Sequence, residues 1–513
     1  MSEFAGLRYL CGSLVAVLLA SVLLTRGRRS KRRHLAGPPP KFLVGNLKDL
    51  PTGGHEWDQY AKMSELYGSD VLYMTALGTG LLVINSFEAA HDLLDKRGSV
   101  YSDRPRLVMI KELMKWDWNL ILMSYGKDFT TYRRVVQQEF QPSTVSQLYH
   151  PIMATEVAAL LDRLLTSPED LIQHFRLMAG AIIMMVTYGH KVDSVDDKYV
   201  ALAEAVREYS AQRPGTELVD VFPILKYLPS WFPGAGFQKY AAIGKELSIQ
   251  MRSAPFKMVK DRLASGTASP SLASRLLHQS VDTGGIDQDK FAQNTCAVVY
   301  SAGADTTLAA MINFILAMTL YPEVQERAHR ELDDVVGRDR LPNFSDKGRL
   351  PYVSNVVKET LRWKAVAPLG VPHATVSDDI YRDGYVPKGT TVIANISAML
   401  HDPSVYSDPG TFNPDRFFST EEKPDGEPDP ARAAFGFGRR ICPGRYFAED
   451  SLWLAIASLL HVFAITNPDG RGGNGVTGIR WSSGLVSLPS PFPHKLAPRF
   501  SKAAELVSAA DRT

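Results

Sequence analysis

Cysteine is scarce in this chain: Cys11, Cys296 and Cys442 are the only three in 513 residues. Three scattered thiols cannot build a disulfide framework and fall short of a four-cysteine zinc module. The body of the protein is therefore expected in a reducing compartment. Charge of one sign is lacking too. Lys and Arg total 57 against 55 Asp and Glu, a formal net charge of +2, without the basic excess of a dedicated nucleic-acid binder. No G-x-G-x-x-G follows a strand–helix pattern, so no built-in nicotinamide or flavin module is apparent. No repeat of fixed period is visible. A composition of 45% apolar and 22% charged residues is that of a globular protein, not a disordered one. A chain this long can enclose a sizeable cofactor.

What the sequence does have begins at its N-terminus. Residues 9–24 (YLCGSLVAVLLASVLL) carry no charge, and Arg26, Arg28, Arg29, Lys31, Arg32 and Arg33 follow. A cleaved signal peptide would carry its positive charge before the apolar run. Here it comes after, which predicts a retained single-pass anchor with the N-terminus outside and residues 26–513 in the cytoplasm. The expected organisation is an anchor over 1–25, a basic and proline-rich hinge over 26–46 containing Pro38, Pro39 and Pro40, and one catalytic body over 47–513. On that topology the two N-x-[ST] sequences, at Asn343 and Asn395, should stay unglycosylated.

The body reads as mainly α with small β-sheets. Residues 70–86 suggest a hairpin, and 375–395 a second strand pair turning at Asp383-Gly384. Long proline-free runs predict helices over 152–165, 171–188, 198–211, 240–254 and 287–320, with Pro255 interrupting the fourth and 256–264 resuming after a kink. Pro322 opens another helix to 336, and an apolar stripe marks one over 351–363. Between 401 and 444 glycine and proline are dense.

That stretch leads into FGFGRRICPGRYFAE, residues 435–449. Cys442 lies in a glycine–arginine loop just before a helical pattern, where the helix N-terminus favours a thiolate. Glycines let backbone approach a flat ligand, and Arg440 can meet an acidic group on it. A buried inert thiol is the commoner fate of a lone cysteine. The whole pattern, however, is Phe435, Gly438, Arg440, Cys442 and Gly444 in F-x-x-G-x-R-x-C-x-G, which resembles the haem-binding signature of the cytochromes P-450. The resemblance extends over essentially the whole chain after the anchor. It implies the cytochrome P-450 fold, haem b with Cys442 as the axial thiolate on iron, Arg440 against a haem propionate, and Phe435 shielding the thiolate.

Inside the apolar pattern of 291–320, Ala302-Gly303-Ala304-Asp305-Thr306-Thr307 breaks two local rules at once, with a costly acid and a helix-weakening glycine. Taken alone it could be a helix packed through small residues, with Asp305 paired to a distant arginine. It looks like the family's oxygen-activation motif, which implies that Thr306 orients water or dioxygen and Asp305 relays protons.

Glu359 and Arg362 form an E-x-x-R pair, uninformative by itself. Arg416, in FNPDRF, matches the third member of the family's buried charge triad, a scaffold role. His373 falls where the family often places a propionate-binding side chain, though a satisfied structural histidine fits the position as well. Phe129 stands where the family has tryptophan in W-x-x-x-R. Phenylalanine offers no N–H, so haem retention would lean on Arg440 and His373, with Arg133 still able to serve.

The resemblance implies monooxygenation with O2 and electrons from a separate NADPH-dependent reductase. The apolar segments 107–123 and 222–234 suggest an apolar small-molecule substrate reached from the bilayer, and no nucleic-acid partner. The pattern is similar to fungal microsomal members like O-methylsterigmatocystin oxidoreductase, which places the protein on the endoplasmic reticulum and in secondary metabolism. A terpenoid is the first expectation and an aromatic polyketide the second. The alternatives are a haem-thiolate isomerase or dehydratase without oxygen insertion, xenobiotic or fatty-acid oxidation, or a non-catalytic membrane protein.

Overall fold

The computed structural model describes residues 35–194, 196–211, 217–279, 281–468 and 478–510. The apolar run 9–24, and with it the expected anchor, lies outside the described residues. Helix α1 (Glu56–Tyr67) precedes strands β1 (Val71–Ala76) and β2 (Thr79–Ile84), which form the expected antiparallel hairpin. Helices α2 (Lys127–Glu139), α3 (His150–Thr166), α4 (Leu171–Tyr188), α5 (Lys198–Ala211) and α6 (Gly236–Ala264) follow. Then come α7 (Gln288–Leu320), α8 (Pro322–Val335) and α9 (Pro351–Trp363). Strand β3 (His373–Ala374), the hairpin β4 (Asp379–Tyr381) and β5 (Gly384–Val386), and β6 (Thr391–Ala394) complete the sheet region. Helix α10 (Arg445–Val462), the pair β7 (Phe463–Thr466) and β8 (Lys495–Pro498), and a final helix, α11 (Ala503–Ala510), follow.

The largest sheet has the order β1-β2-β6-β3, with β6 parallel to β2 and antiparallel to β3. Local chemistry sets the main boundaries. Asp287 caps α7 by accepting the Lys290 N–H, Pro322 opens α8 where no N–H is needed, and Gly189 ends α4 in the left-handed region. Helix α7 is apolar nearly all round because it runs through the core, packed against α4, α6 and α10. Both α7 and residues 168–188 are long and apolar enough to cross a membrane, yet most of each is buried in protein.

Pro255 does not interrupt its helix: α6 runs unbroken through it. The proline lies buried with Met251, Phe256 and Val259, so tertiary packing outweighs the missing hydrogen bond. The proline segment is fastened to the body. The Tyr73 N–H donates to Ala36 O at 2.8 Å, Asn46 Nδ2 donates to Pro38 O at 2.9 Å, and Asn46 Oδ1 accepts from the Thr75 N–H at 3.0 Å.

Candidate active site

Cys442 stands three positions before α10. Its loop is shaped by the Cys442 N–H donating to Phe435 O at 2.8 Å, with Phe435 partly buried beside it. Gly438 has φ +52°, and a Cβ there would run into the carbonyl oxygen of Leu94, so only glycine fits. Burial pushes the Cys442 thiol up; the Gly444 N–H and the Arg133 and Arg445 guanidiniums act the other way. Cys296 is fully buried on α7, its thiol pushed well up by burial. Among the described residues no group of three or more His, Cys, Asp or Glu is placed to hold a metal ion.

The loop is surrounded by buried cations answered mainly by backbone carbonyls. Arg440 donates to Ser102 O at 2.8 Å, Leu120 O at 3.4 Å and Met123 O at 2.8 Å. Arg104 donates to Ile121 O, Val371 O and Pro372 O, each at 2.8 Å. Arg133 donates to Ile441 O. Burial lowers Arg104 to about 9 and Arg440 to about 10; Arg440 lowers Arg104 further, and only Asp103 counters both. Burial and the nearby Arg104 push His373 down to about 3, so it is neutral. Its Nδ1 faces Tyr101 O at 2.8 Å and must donate. An interior with two buried arginines that share only Asp103 as a counter-charge suits a ligand with acidic groups. Phe129 supplies a ring face to Arg440. Arg104 escaped the sequence reading: it is one arginine in a loop, and two of its partners lie more than 260 positions away.

The acid–threonine segment behaves differently from the rest of α7. From Phe291 to Tyr300 and from Thr307 to Thr319 nearly every residue is buried, whereas 301–306 are not, and Ala302 and Thr306 are exposed on one face. Thr306 Oγ1 donates to Ala302 O at 3.1 Å, one turn back. A Cβ on Gly303 would sit 2.7 Å from Ile183 Cδ1, so the glycine lets α4 close against α7. Asp305 is 39% exposed and lies 3.7 Å from Arg207 Nε on α5. Burial raises its carboxyl, Arg207 and Arg176 counter, and Glu204 adds to the rise. The loop 119–123 joins this segment to the cysteine loop: Asn119 Nδ2 reaches Ser301 Oγ at 3.5 Å, while Leu120 and Met123 carbonyls bind Arg440.

Within the apolar segment 107–123, two residues pack against α6. Trp118 Nε1 donates to Ser248 on α6 at 3.2 Å, and Met114 fills the space over Gly244 on α6. Both are core packing, and apolar periodicity cannot distinguish core from pocket.

Glu359, Arg362 and Arg416 come together as expected. Glu359 takes two bonds from Arg362, at 2.8 and 2.9 Å, and one from Arg416 at 3.1 Å, all deeply buried. Glu427 is a fourth member that the sequence did not reveal, 2.7 Å from Arg416 Nη1. Arg362 and Arg416 also hold the carbonyls of Leu400, Ser407, Asp408 and Thr411, which fixes the irregular stretch ahead of Cys442.

The thiol loop is thus ringed by cations answered mostly by backbone carbonyls, and α7 is partly exposed at its acid–threonine pair. The family model for cytochrome P450 matches residues 35–495, and the chain belongs to that family. It is similar to cytochrome P450 monooxygenase 208 of Postia placenta, 40% identical over 97% of both chains. It is likewise similar to cytochrome P450 monooxygenase claR of Ampulloclitocybe clavipes, 40% identical over 93% of this chain and 89% of that one. Tryptamine 4-monooxygenase of Psilocybe cyanescens is 37% identical over 96% of this chain and 99% of its own. The protein is accordingly a haem-dependent monooxygenase acting on a small molecule with electrons from a redox-partner reductase.

Proposed function

We propose that Cys442 would supply the thiolate that holds haem iron, that Arg440, Arg104, Arg133 and His373 would receive the haem's acidic edge, and that Asp305 and Thr306 would pass protons into the site. The observation that carries this is the set of buried cations around Cys442 whose direct partners are carbonyls rather than carboxylates. Haem bound there supplies the activation of O2, one oxygen atom going to the substrate and the other to water. Phe435 would shield the thiolate. An anion beside His373 would restore its proton. Thr306, exposed on the open face of α7, holds a proton at Oγ1, and Asp305 replenishes it from solvent.

The substrate proposed is an apolar secondary metabolite, a terpenoid first and an aromatic polyketide second. The partner proposed is NADPH-cytochrome P-450 reductase. A hollow of about 670 Å³ on the cysteine loop, lined by Arg133, Arg134, Arg439 and Arg445 among others, supports its docking there. Anchoring on the endoplasmic reticulum with a cytoplasmic body is proposed from the apolar run 9–24 and its following basic cluster. Exposed Ile224 (72%), Tyr227 (73%) and Trp231 (79%) support a further contact with lipid. Co-expression with a reductase and metabolite profiling against terpenes and polyketides tests the substrate class; products from neither class would sink it. Thr306→Ala should keep haem and substrate binding while diverting electrons to hydrogen peroxide; full coupling in that variant would remove Thr306 from the mechanism.

A further inference from the structure

A second hollow, of about 470 Å³, opens between the segment 111–117 and Lys226–Tyr227. Its charges do not balance. Glu112 is held from both sides, 2.7 Å from Arg106 Nε and 2.6 Å from Lys226 Nζ. Those two bonds keep its carboxyl at about 2, so it is an anion already engaged. Lys111 and Lys115 line the same hollow, and among the described residues neither has a carboxylate partner. Lys111 is partly buried, with the neutral Ser124 Oγ at 3.3 Å. Burial lowers its ammonium, and the acids that act on it, Asp103 foremost, do not reverse that. Lys115 is exposed and stands at φ +61°, a left-handed conformation uncommon for a residue with a Cβ. In the lining, Asp117 alone remains to oppose these two lysines.

The rim of the hollow is apolar. Lys226 and Tyr227 belong to a short helical turn, Pro223–Tyr227, that also carries Ile224, and Trp231 follows it. Ile224, Tyr227 and Trp231 are all largely exposed. The turn is fixed in place. Gln238 Nε2 donates to Lys226 O at 2.7 Å and to Leu228 O at 3.2 Å, and the Met109 N–H donates to Asp220 Oδ1 at 2.9 Å just ahead of it. Charged hollow and apolar rim therefore keep a set relation. Tryptophan and tyrosine favour the level of lipid headgroups, and lysines beside them favour anionic lipid. We infer that the hollow seats the phosphate of an anionic phospholipid, with Lys111 and Lys115 as its cations and Ile224, Tyr227 and Trp231 against the upper ends of the acyl chains. The inference rests on the lipid contact proposed above and adds a headgroup of defined charge to it. A choline headgroup brings its own cation, which Lys111 and Lys115 repel. A free anion would satisfy the lysines but leave the aromatic rim in water. A bilayer supplies both, and the basic cluster after the apolar run 9–24 sets the body beside one.

The test uses the full-length, haem-loaded protein in phosphatidylcholine nanodiscs, with a normal carbon monoxide spectrum required of each variant. A trace of phosphatidylinositol or of phosphatidylcholine is added, each with a photoreactive group on one acyl chain. Lipid adducts on residues 222–234 are then measured by mass spectrometry. Phosphatidylinositol, anionic and without an ammonium, should label wild type in preference to phosphatidylcholine. Asparagine tolerates the left-handed region, so Lys115→Asn should fold as wild type does and lower that preference about fivefold. Lys111→Gln combined with Lys115→Asn should lower it about thirtyfold. Equal labelling of wild type by the two lipids, or an unchanged preference in the variants, would overturn the headgroup site and leave the lipid contact standing. No adduct on 222–234 from either lipid would bring down the lipid contact and the inference with it. Inorganic phosphate in the buffer should not compete. Loss of the preference on adding it would reveal a site for a free anion and overturn the assignment to lipid.

Discussion

The guanidinium carbon of Arg440 lies 3.7 Å from the centre of the Phe129 ring. Phe129 is the position where this chain departs from the tryptophan of its family. The ring cannot donate a hydrogen bond, but its π face offsets part of the cost of burying a cation, at about 0.5–2 kcal/mol for such a contact. Phe129→Ala should therefore loosen haem, seen as a several-fold faster transfer to apomyoglobin. Phe129→Trp should restore both the ring face and an N–H and slow the transfer to the wild-type rate or below. Equal rates for all three proteins would show that Arg440 does not depend on this ring.

Cys442→Ala should abolish the thiolate-type carbon monoxide spectrum, whereas Cys296→Ala should leave it intact. Cys296 is buried in the packing of α7, and its loss creates only a small cavity. The reverse pattern would displace the iron ligand from the glycine–arginine loop.

Glu427 carries a pH signature. Burial alone would raise it, but hydrogen bonds from Lys423, Arg416 and Ser407 outweigh burial and hold it at about 2, against an ordinary 4.5. A depressed carboxyl stabilises the fold fully above its unfolded value and stops doing so as pH falls from there toward the folded value. The contribution is about 3 kcal/mol. Glu427→Gln should lower Tm by a constant amount from pH 8 to 5.5, and the gap should narrow below 4.5. A gap that widens on acidification would contradict the pairing.

Asn395 is fully buried. Its amide donates to Trp57 O and Asn85 Oδ1, each at 2.8 Å, and its oxygen caps the following turn through the Ala398 N–H at 3.2 Å. A folded chain has no room for a glycan there, and Asn395→Ala should cost about 2 kcal/mol in denaturant unfolding. Asn343 is exposed, its side chain accepting from the Ser345 N–H and hydroxyl, so it is the sequon that reports topology. With the body in the cytoplasm, protease should digest it in intact microsomes and a glycosidase should leave its mobility unchanged. A protected, glycosylated body would invert the proposed topology.

The helices, both hairpins and the clustered site motifs were legible because each is local: a period, a turn dipeptide, a short signature. Arg104 and Glu427 were not, because what makes them matter is main chain or side chain brought in by folding. Within the segment 107–123, Trp118 and Met114 pack on α6, a role that sequence alone does not separate from facing a substrate. Pro255 misled in the opposite sense, its local penalty overridden by burial. Asp305 was legible as an anomaly, whereas its contact with Arg207 required α5 to be set beside α7.

The bonds that tie Ala36 and Asn46 to β1 bear on how the protein can be handled. Membrane enzymes are commonly made soluble by cutting away the leader, and composition alone would put the cut at the end of the proline-rich stretch, near residue 47. That cut would strip the edge strand of the main sheet of the bonds made by its Tyr73 and Thr75 N–H groups and leave β1 open to pairing with other copies. A cut ahead of Leu35 spares them, so residues 35–46 belong with the enzyme body.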